Sequence, residues 1–354
     1  MHIGIVMNQV IPPKKYGGAN RIVGRLCSEL ISVGMKVSIY AAPGSDIPGA
    51  STYVIPHDFE NQVASDWIDS TVDIVHMHCP HHVITHKPLL VTQQGNGLSR
   101  VFPHMSFVSR SHAANHGSDC YVHNGLDVSD YPAKNKGDYL VFLADASWGV
   151  KNLRTAVSLA EDTKTKLLVM GGQGNDSKYV TYLGMIGESE GKLDILSKAK
   201  ALVYLANWDE PCAVAVLEAM ACGTPVIATK NGCFPELISP DTGFCVDSYA
   251  EAISAVQSIG QINPADCRRR VHNQFSQGIM TEKYVDLYKS ILNESWSYKI
   301  PSYDFKSRLR KVYKPTMRNI LHFEFKHRKA LYCDSIHDYS YRTRAGNDFI
   351  KLNF

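Results

Sequence analysis

No uninterrupted apolar run in this 354-residue chain approaches the roughly 20 residues that a membrane-spanning helix needs, so no segment is expected to cross a bilayer as a helix. The N-terminus, MHIGIVMNQVIPP, lacks the basic start, apolar middle and small-residue cleavage site of a secretory signal. It reads as a first β-strand, and a cytoplasmic protein is expected. Nine cysteines, an odd number without paired spacing, supply no disulfide framework and fit free thiols in a reducing compartment. Internal repeats of solenoid length and low-complexity tracts are also missing. A surplus of one charge sign is missing from most of the chain, and the net charge is only +3. The exception is Lys299 to Lys329, where ten bases face only Asp304 and Glu324, a surplus of eight. Charges beyond Lys329 balance, which leaves residues 1 to 298 at −5.

What is present describes an ordinary globular protein, 44% apolar and 20% charged, and long enough for two domains. Short β-type runs alternate with helical stretches: Ile3 to Asn8, a helix near Asn20 to Val33, Lys36 to Ala41, Ile74 to His78 and Leu89 to Gln93. After the Asn124–Gly125 turn the alternation restarts with Tyr139 to Leu143, a helix over Leu153 to Glu161, Lys166 to Met170, a helix near Lys192 to Ala199, and Ala201 to Leu205. This is the pattern of parallel sheets covered by helices, and it occurs twice. An α/β protein is expected, with two doubly wound halves (residues 1–134 and 135–296), a cleft between them for a ligand, and a basic, aromatic extension over 297–354. Pro264 to Leu292 read as the closing helices of the second half.

The densest chemistry lies in DEPCAVAVLEAMACGTPVIAT, Asp209 to Thr229. Pro211 suits the first turn of a helix, Gly223 and Pro225 can stop it, and Val226 to Thr229 is a β-branched run. Glu210 would sit at the helix entrance, where unpaired N–H groups and the positive dipole end favour anions, with Glu218 about two turns on. A ligand lying along the first turns could touch both carboxylates.

That stretch resembles the signature of the family 4 retaining glycosyltransferases, which have the two-domain GT-B fold. The resemblance rests on the E-x7-E pair Glu210 and Glu218, the LEAMACGTPVIA continuation, NGCFPELI with Gly232 and Glu236, and DTGF. It extends to YGGANR at Tyr16 to Arg21, DIVHMH at Asp73 to His78, FVSRSHAANHG at Phe107 to Gly117, YVHNGLD at Tyr121 to Asp127 and VMGGQG at Val169 to Gly174. Roughly residues 1–295 take part.

The resemblance implies transfer of a sugar from a nucleoside-diphosphate donor, a UDP-sugar by expectation, to an acceptor hydroxyl with retention. Glu210 would bind hydroxyls of the donor sugar and Glu218 the ribose, as ionised carboxylates accept strongly from hydroxyls. The entrance around Pro211, Cys212, Ala213 and Val214 would offer N–H groups, and Gly17 and Gly18 would let backbone approach the diphosphate. Gly172, in a Gly-rich turn after a strand, is a weaker candidate for the same task. Lys151 matches the family's phosphate-binding lysine and would neutralise the departing nucleoside diphosphate. No cofactor and no metal are expected.

Five positions at three places depart from the family pattern. Ala144 and Asp145 stand where a Gly-Arg pair is usual, leaving the second leaving-group cation absent or supplied by Arg21 or Lys15. Gln94 replaces a common histidine, and Cys212 and Ala213 replace Phe and Gly. His76, His78, His81, His82 and His86 with Cys79 invite a metal reading, but strand-end histidines beside a cleft more commonly bond substrate or backbone. His78 is the one expected to reach the sugar. Cys212 reads as a small packed residue rather than a nucleophile.

The tail interleaves its bases with Tyr303, Phe305, Tyr313, His322, Phe323, Phe325 and His327. It suits a solvated face or a polyanion: DNA bearing a hydroxylated modified base, or an anionic membrane surface carrying a lipid-linked glycan acceptor. The sequence favours DNA slightly over the glycan. A sugar-nucleotide epimerase or an inactive binding module is the reading from another class.

Overall fold

A computed structural model describes residues 1–13, 17–57, 59, 66–78, 85–97 and 101–301. Two six-stranded, wholly parallel sheets form, as the alternation implies. In the first, β1 (His2–Met7), β2 (Lys36–Ala41), β3 (Ser51–Val54), β4 (Ile74–Met77), β5 (Leu89–Gln93) and β6 (Met105–Phe107) stand in the order β3-β2-β1-β4-β5-β6. The second contains β7 (Tyr139–Leu143), β8 (Lys166–Met170), β9 (Val180–Gly184), β10 (Ala201–Tyr204), β11 (Val226–Thr229) and β12 (Gly243–Val246), in the order β12-β11-β10-β7-β8-β9. Strands buried on both faces read as unbroken apolar runs, which is why β1, β7 and β10 were visible in the sequence.

Helices α1 (Gly18–Ser32) and α2 (Arg110–Asn115) belong to the first half. The second half holds α3 (Leu153–Asp162), α4 (Lys192–Lys198), α5 (Val214–Ala221), α6 (Phe234–Leu237), α7 (Tyr249–Ser258) and α8 (Pro264–Gln274). The last helix, α9 (Gln277–Leu292), corrects the expectation that Pro264 to Leu292 close the second half. Helix α8 does pack on α5, but α9 lies against α1 and β5 of the first sheet. The hydroxyl of Tyr288 reaches His76 Nδ1 at 2.7 Å, and that of Tyr284 reaches Thr92 at 3.3 Å. The crossing occurs at Phe275–Gln277, whose backbone pairs with Leu126 on both sides. A Cβ on Gly125 would strike the Ser276 carbonyl, so the close approach requires glycine there.

Each sheet reverses its winding once, between β1 and β4 in the first and between β7 and β10 in the second. Ligands of such sheets bind where the strand order reverses, beyond the C-terminal strand ends. The segments leaving those four strands carry Gly17, His78, Lys151 and Glu210. No helix among the described residues is long and apolar enough to cross a membrane. Lys15, Tyr16, Cys79, His81, His82 and the tail beyond residue 301 lie outside the described residues.

Candidate active site

Glu210 does not begin a helix. Helix α5 starts at Val214, three residues later than Pro211 suggested: Glu210 to Ala213 stay non-helical, with a bend at Pro211, and are bonded to the loop before α6. The Cys233 N–H donates to the Glu210 carbonyl at 2.9 Å, and the Ala213 N–H points to Cys233 Sγ at 3.4 Å. Gly232 makes this possible: its φ is +60°, and any Cβ would collide with the Glu210 backbone. Ala213 caps α5 without a side-chain bond, so the first-turn N–H groups at Val214 point out of the helix start without an intrahelical acceptor. Burial pushes the Cys212 thiol up to about 12, which fits packing and not nucleophilic attack.

Glu210 is 6% exposed and meets Lys151, 7% exposed, whose Nζ lies 3.0 Å from Oε1 and 2.8 Å from Oε2. The indole N–H of Trp208 donates to Oε2 at 2.6 Å. Three rings surround the ammonium: Trp208 at 4.8 Å, Tyr204 at 5.4 Å and Trp148 at 5.7 Å to their centroids. The ring faces and the carboxylate replace the hydration that Lys151 loses on burial. Trp148, 51% exposed, stands edge-on to Trp208 and presents its other side to solvent.

Glu218 occupies a second ionic cluster. Its Oε1 receives Lys192 Nζ at 2.9 Å and Arg21 Nη1 at 3.3 Å, and Glu188 reaches the same two cations at 3.6 and 3.0 Å. Arg21 comes from α1, so this cluster joins the halves. A Cβ on Gly18 would rest on Val214 at 3.4 Å, which sets the start of α1 against the start of α5. Gly17 has φ +138°, a conformation that favours glycine, and caps α1 with no side-chain bond. Gly172 has a packing role: a Cβ there would strike Ala146, where the turn after β8 crosses the one after β7. At the position of the usual arginine, Asp145 accepts from Ser147 N–H at 2.9 Å and Oγ–H at 2.6 Å, closing a tight turn.

Burial lowers the His78 imidazole to about 3, so it is neutral at ordinary pH, and its Nδ1 lies 3.2 Å from the Gln94 amide. Its Nε2 is buried with no hydrogen-bond partner among the described residues. His76 faces α9 instead: both ring nitrogens are bonded, to Tyr288 and Thr92, and burial followed by the neighbouring His78 keeps it well below the usual imidazole range. His86 is exposed, and among the described residues no group of three metal-ligating side chains forms; Cys79, His81 and His82 lie outside them.

Three residues that close the halves together escaped the sequence reading as contacts. The amide of Asn96 donates to the Asp209 carbonyl at 2.8 Å, and that of Asn115 reaches the Asp209 carboxylate at 3.3 Å. Glu236 accepts from the Arg110 and Ser111 N–H groups at the start of α2, at 2.8 and 2.7 Å, and lies 2.9 Å from His123 Nε2. Burial opposes its ionisation, but these bonds outweigh it and hold the carboxyl below the usual range. Trp208 and Lys192 were also missed. Trp208 could have been found from its place two residues before Glu210, whereas Lys192 meets Glu218 across 26 positions and carries no local signal.

Residues 128–262 match the family described as Glycosyl transferases group 1. A GDP-mannose-dependent alpha-(1-6)-phosphatidylinositol dimannoside mannosyltransferase of Mycobacterium tuberculosis is 32% identical over 26% of this chain and 24% of its own length. An N-acetyl-alpha-D-glucosaminyl L-malate synthase of Bacillus anthracis is 27% identical over 32% of each chain. The chain thus spans between about a quarter and a third of the length of these curated relatives. Among solved structures, AviGT4, a glycosyltransferase involved in avilamycin A biosynthesis, superposes with a TM-score of 0.70 at 22% identity, over 84% of this chain and 99% of that one. Sucrose-phosphate synthase from Thermosynechococcus elongatus gives 0.66 at 16%, over 83% and 100%. Anabaena Alr3699/HepE in complex with UDP-glucose gives 0.56 at 12%, over 82% and 100%.

Proposed function

We propose that this chain, with its GT-B architecture and its glycosyl transferases group 1 domain over residues 128–262, is a retaining glycosyltransferase that moves a sugar from a nucleoside-diphosphate donor to a hydroxyl of a glycan or lipid-linked acceptor. The observation that carries the reading is the placing of Glu210 with Lys151, and of Glu218 with Arg21 and Lys192, around the start of α5 and at the reversal points of both sheets. In this arrangement Glu218 accepts from the ribose hydroxyls and Glu210 from the donor sugar. The donor's phosphates lie against Lys151, the first-turn N–H groups of α5 and the backbone at Gly17 and Gly18. Arg21 already approaches this region and supplies the cation that Asp145 does not. Gly172 shapes the loops beneath.

Charge builds on the leaving diphosphate as the glycosidic bond breaks. Lys151, held in place before the reaction, stabilises that charge without reorganising. The leaving phosphate takes the proton of an acceptor hydroxyl arriving on the same face, which retains configuration, and the neutral His78 donates from Nε2 to a sugar oxygen. An acceptor of glycan or lipid-linked type is supported by the mannosyltransferase relative, whose named substrate is a phosphatidylinositol dimannoside. DNA as acceptor finds no support in the relatives, and the basic tail that suggested it lies outside the described residues. The donor nucleotide is open between uridine and guanosine, since one relative is GDP-mannose-dependent and one fold neighbour holds UDP-glucose.

The test offers UDP- and GDP-sugars with lipid extract, oligosaccharides and hydroxymethylated DNA, and reads products by mass spectrometry and anomeric configuration by NMR. A transferred hexose with the donor's configuration is expected. An inverted product rejects retention, an epimerised nucleotide sugar indicates an epimerase, and binding without turnover leaves a binding module.

A further inference from the structure

We propose that Trp208 is a positioning residue that aims one chosen oxygen of Glu210 at the donor sugar and so sets which sugar is accepted. This rests on the donor-site reading of Glu210. A carboxylate oxygen offers two acceptor positions. At Oε2 both are taken, by Lys151 Nζ at 2.8 Å and by the Trp208 indole N–H at 2.6 Å. Oε1 receives only Lys151, at 3.0 Å, and no second donor reaches it among the described residues. Oε1 is therefore the atom left to accept a sugar hydroxyl, and the plane of the carboxylate is fixed by the indole.

The same indole fixes the cation. Its face lies 4.8 Å from Lys151 Nζ, so one buried ring locates both members of the pair, its edge holding the acid and its face the base. Trp208 itself is held edge-on by Trp148, with ring centroids 6.3 Å apart. A sugar whose hydroxyl lies on Oε1's side forms a charge-assisted bond, and its epimer at that carbon does not. Loosening Glu210 about its last torsion blurs that distinction while leaving the nucleotide cluster at Glu218 intact.

Trp208→Phe keeps the ring face and removes the N–H. With UDP- and GDP-sugars as donors, we expect kcat to fall about ten- to hundredfold, the loss of one hydrogen bond to a charged group. Discrimination between epimeric sugars on the same nucleotide should shrink, while the affinity for free UDP or GDP by calorimetry stays as in the wild type. A purely structural role would weaken nucleotide affinity and all donors alike. Wild-type kcat and selectivity in Trp208→Phe overturn the inference, and if Glu210→Gln is inactive in the same assay the donor-site reading survives that failure. A fully active Glu210→Gln overturns the donor-site reading instead.

Should Trp208→Phe fail to fold, 15N-resolved NMR of the wild type against Glu210→Gln decides. The chain has four tryptophans, and the Trp208 indole proton should be the most downfield of the four indole signals and move upfield in Glu210→Gln. An indole signal set unmoved by Glu210→Gln overturns the proposal.

Discussion

Buried charge governs what substitutions can show at the residue scale. Alanine at Glu210 would strand the Lys151 ammonium, and alanine at Glu218 would strand Lys192, each nearly fully buried. Glutamine keeps the shape and an acceptor oxygen. Glu210→Gln and Glu218→Gln are expected to lose transfer by orders of magnitude and, because each leaves a buried lysine without its counter-charge, to lower the melting temperature as well; near-normal turnover in either contradicts its assigned role. Lys151→Ala should cost about 3–5 kcal/mol in urea unfolding, because it leaves Glu210 as an uncompensated buried charge. A cost under about 1 kcal/mol would show the pair to be solvated. The buried imidazoles give stability a pH dependence. His78 has a folded value of about 3 against 6.5 unfolded, so the unfolded state binds the proton first, and stability is lost as pH falls from 6.5 toward 3. At pH 5 the loss from His78 alone is about 2 kcal/mol, with His76 adding in the same direction. Urea midpoints that are equal at pH 5 and 7 would refute this.

Two elements have positions that matter more than their own sequence. The segment from Glu210 to Ala213 is kept out of the helix by its contacts with Gly232 and Cys233, and only then does α5 begin. Gly232→Ala is expected to push the loop off the Glu210 backbone and reduce both stability and nucleotide binding; a stable variant with unchanged UDP or GDP affinity would show that the loop has room to give. Helix α9 is the second case, since Tyr288 satisfies His76 inside the first half. Tyr288→Phe leaves that ring nitrogen unpaired in a buried site, and a loss of roughly 1–3 kcal/mol is expected by chemical denaturation. Equal stability of the variant would mean that another donor or water replaces the hydroxyl.

For the whole molecule, the contacts that join the halves surround the candidate site and place it at their junction. Glu236 bonds the start of α2, Asn96 bonds Asp209 and Arg21 bonds Glu218, each pairing a residue of the first half with one of the second. A donor that binds the folded junction should raise the melting temperature by an amount that grows with the logarithm of its concentration over its Kd. The sequence determined a good deal of this by itself. Apolar runs fixed most strands to within a residue or so, because strands buried on both faces must be apolar throughout, and the E-x7-E stretch with its glycines supplied the candidate site. Short strands such as β3, exposed along its length, and β6, of three residues, left no comparable pattern. Only the tertiary structure decided the distant partners: that Lys151 meets Glu210, that Lys192 and Arg21 meet Glu218, and that α9 returns to the first sheet. Those pairings are between residues up to 212 positions apart, and a charge or hydroxyl on one segment carries no mark of the segment that will bury it.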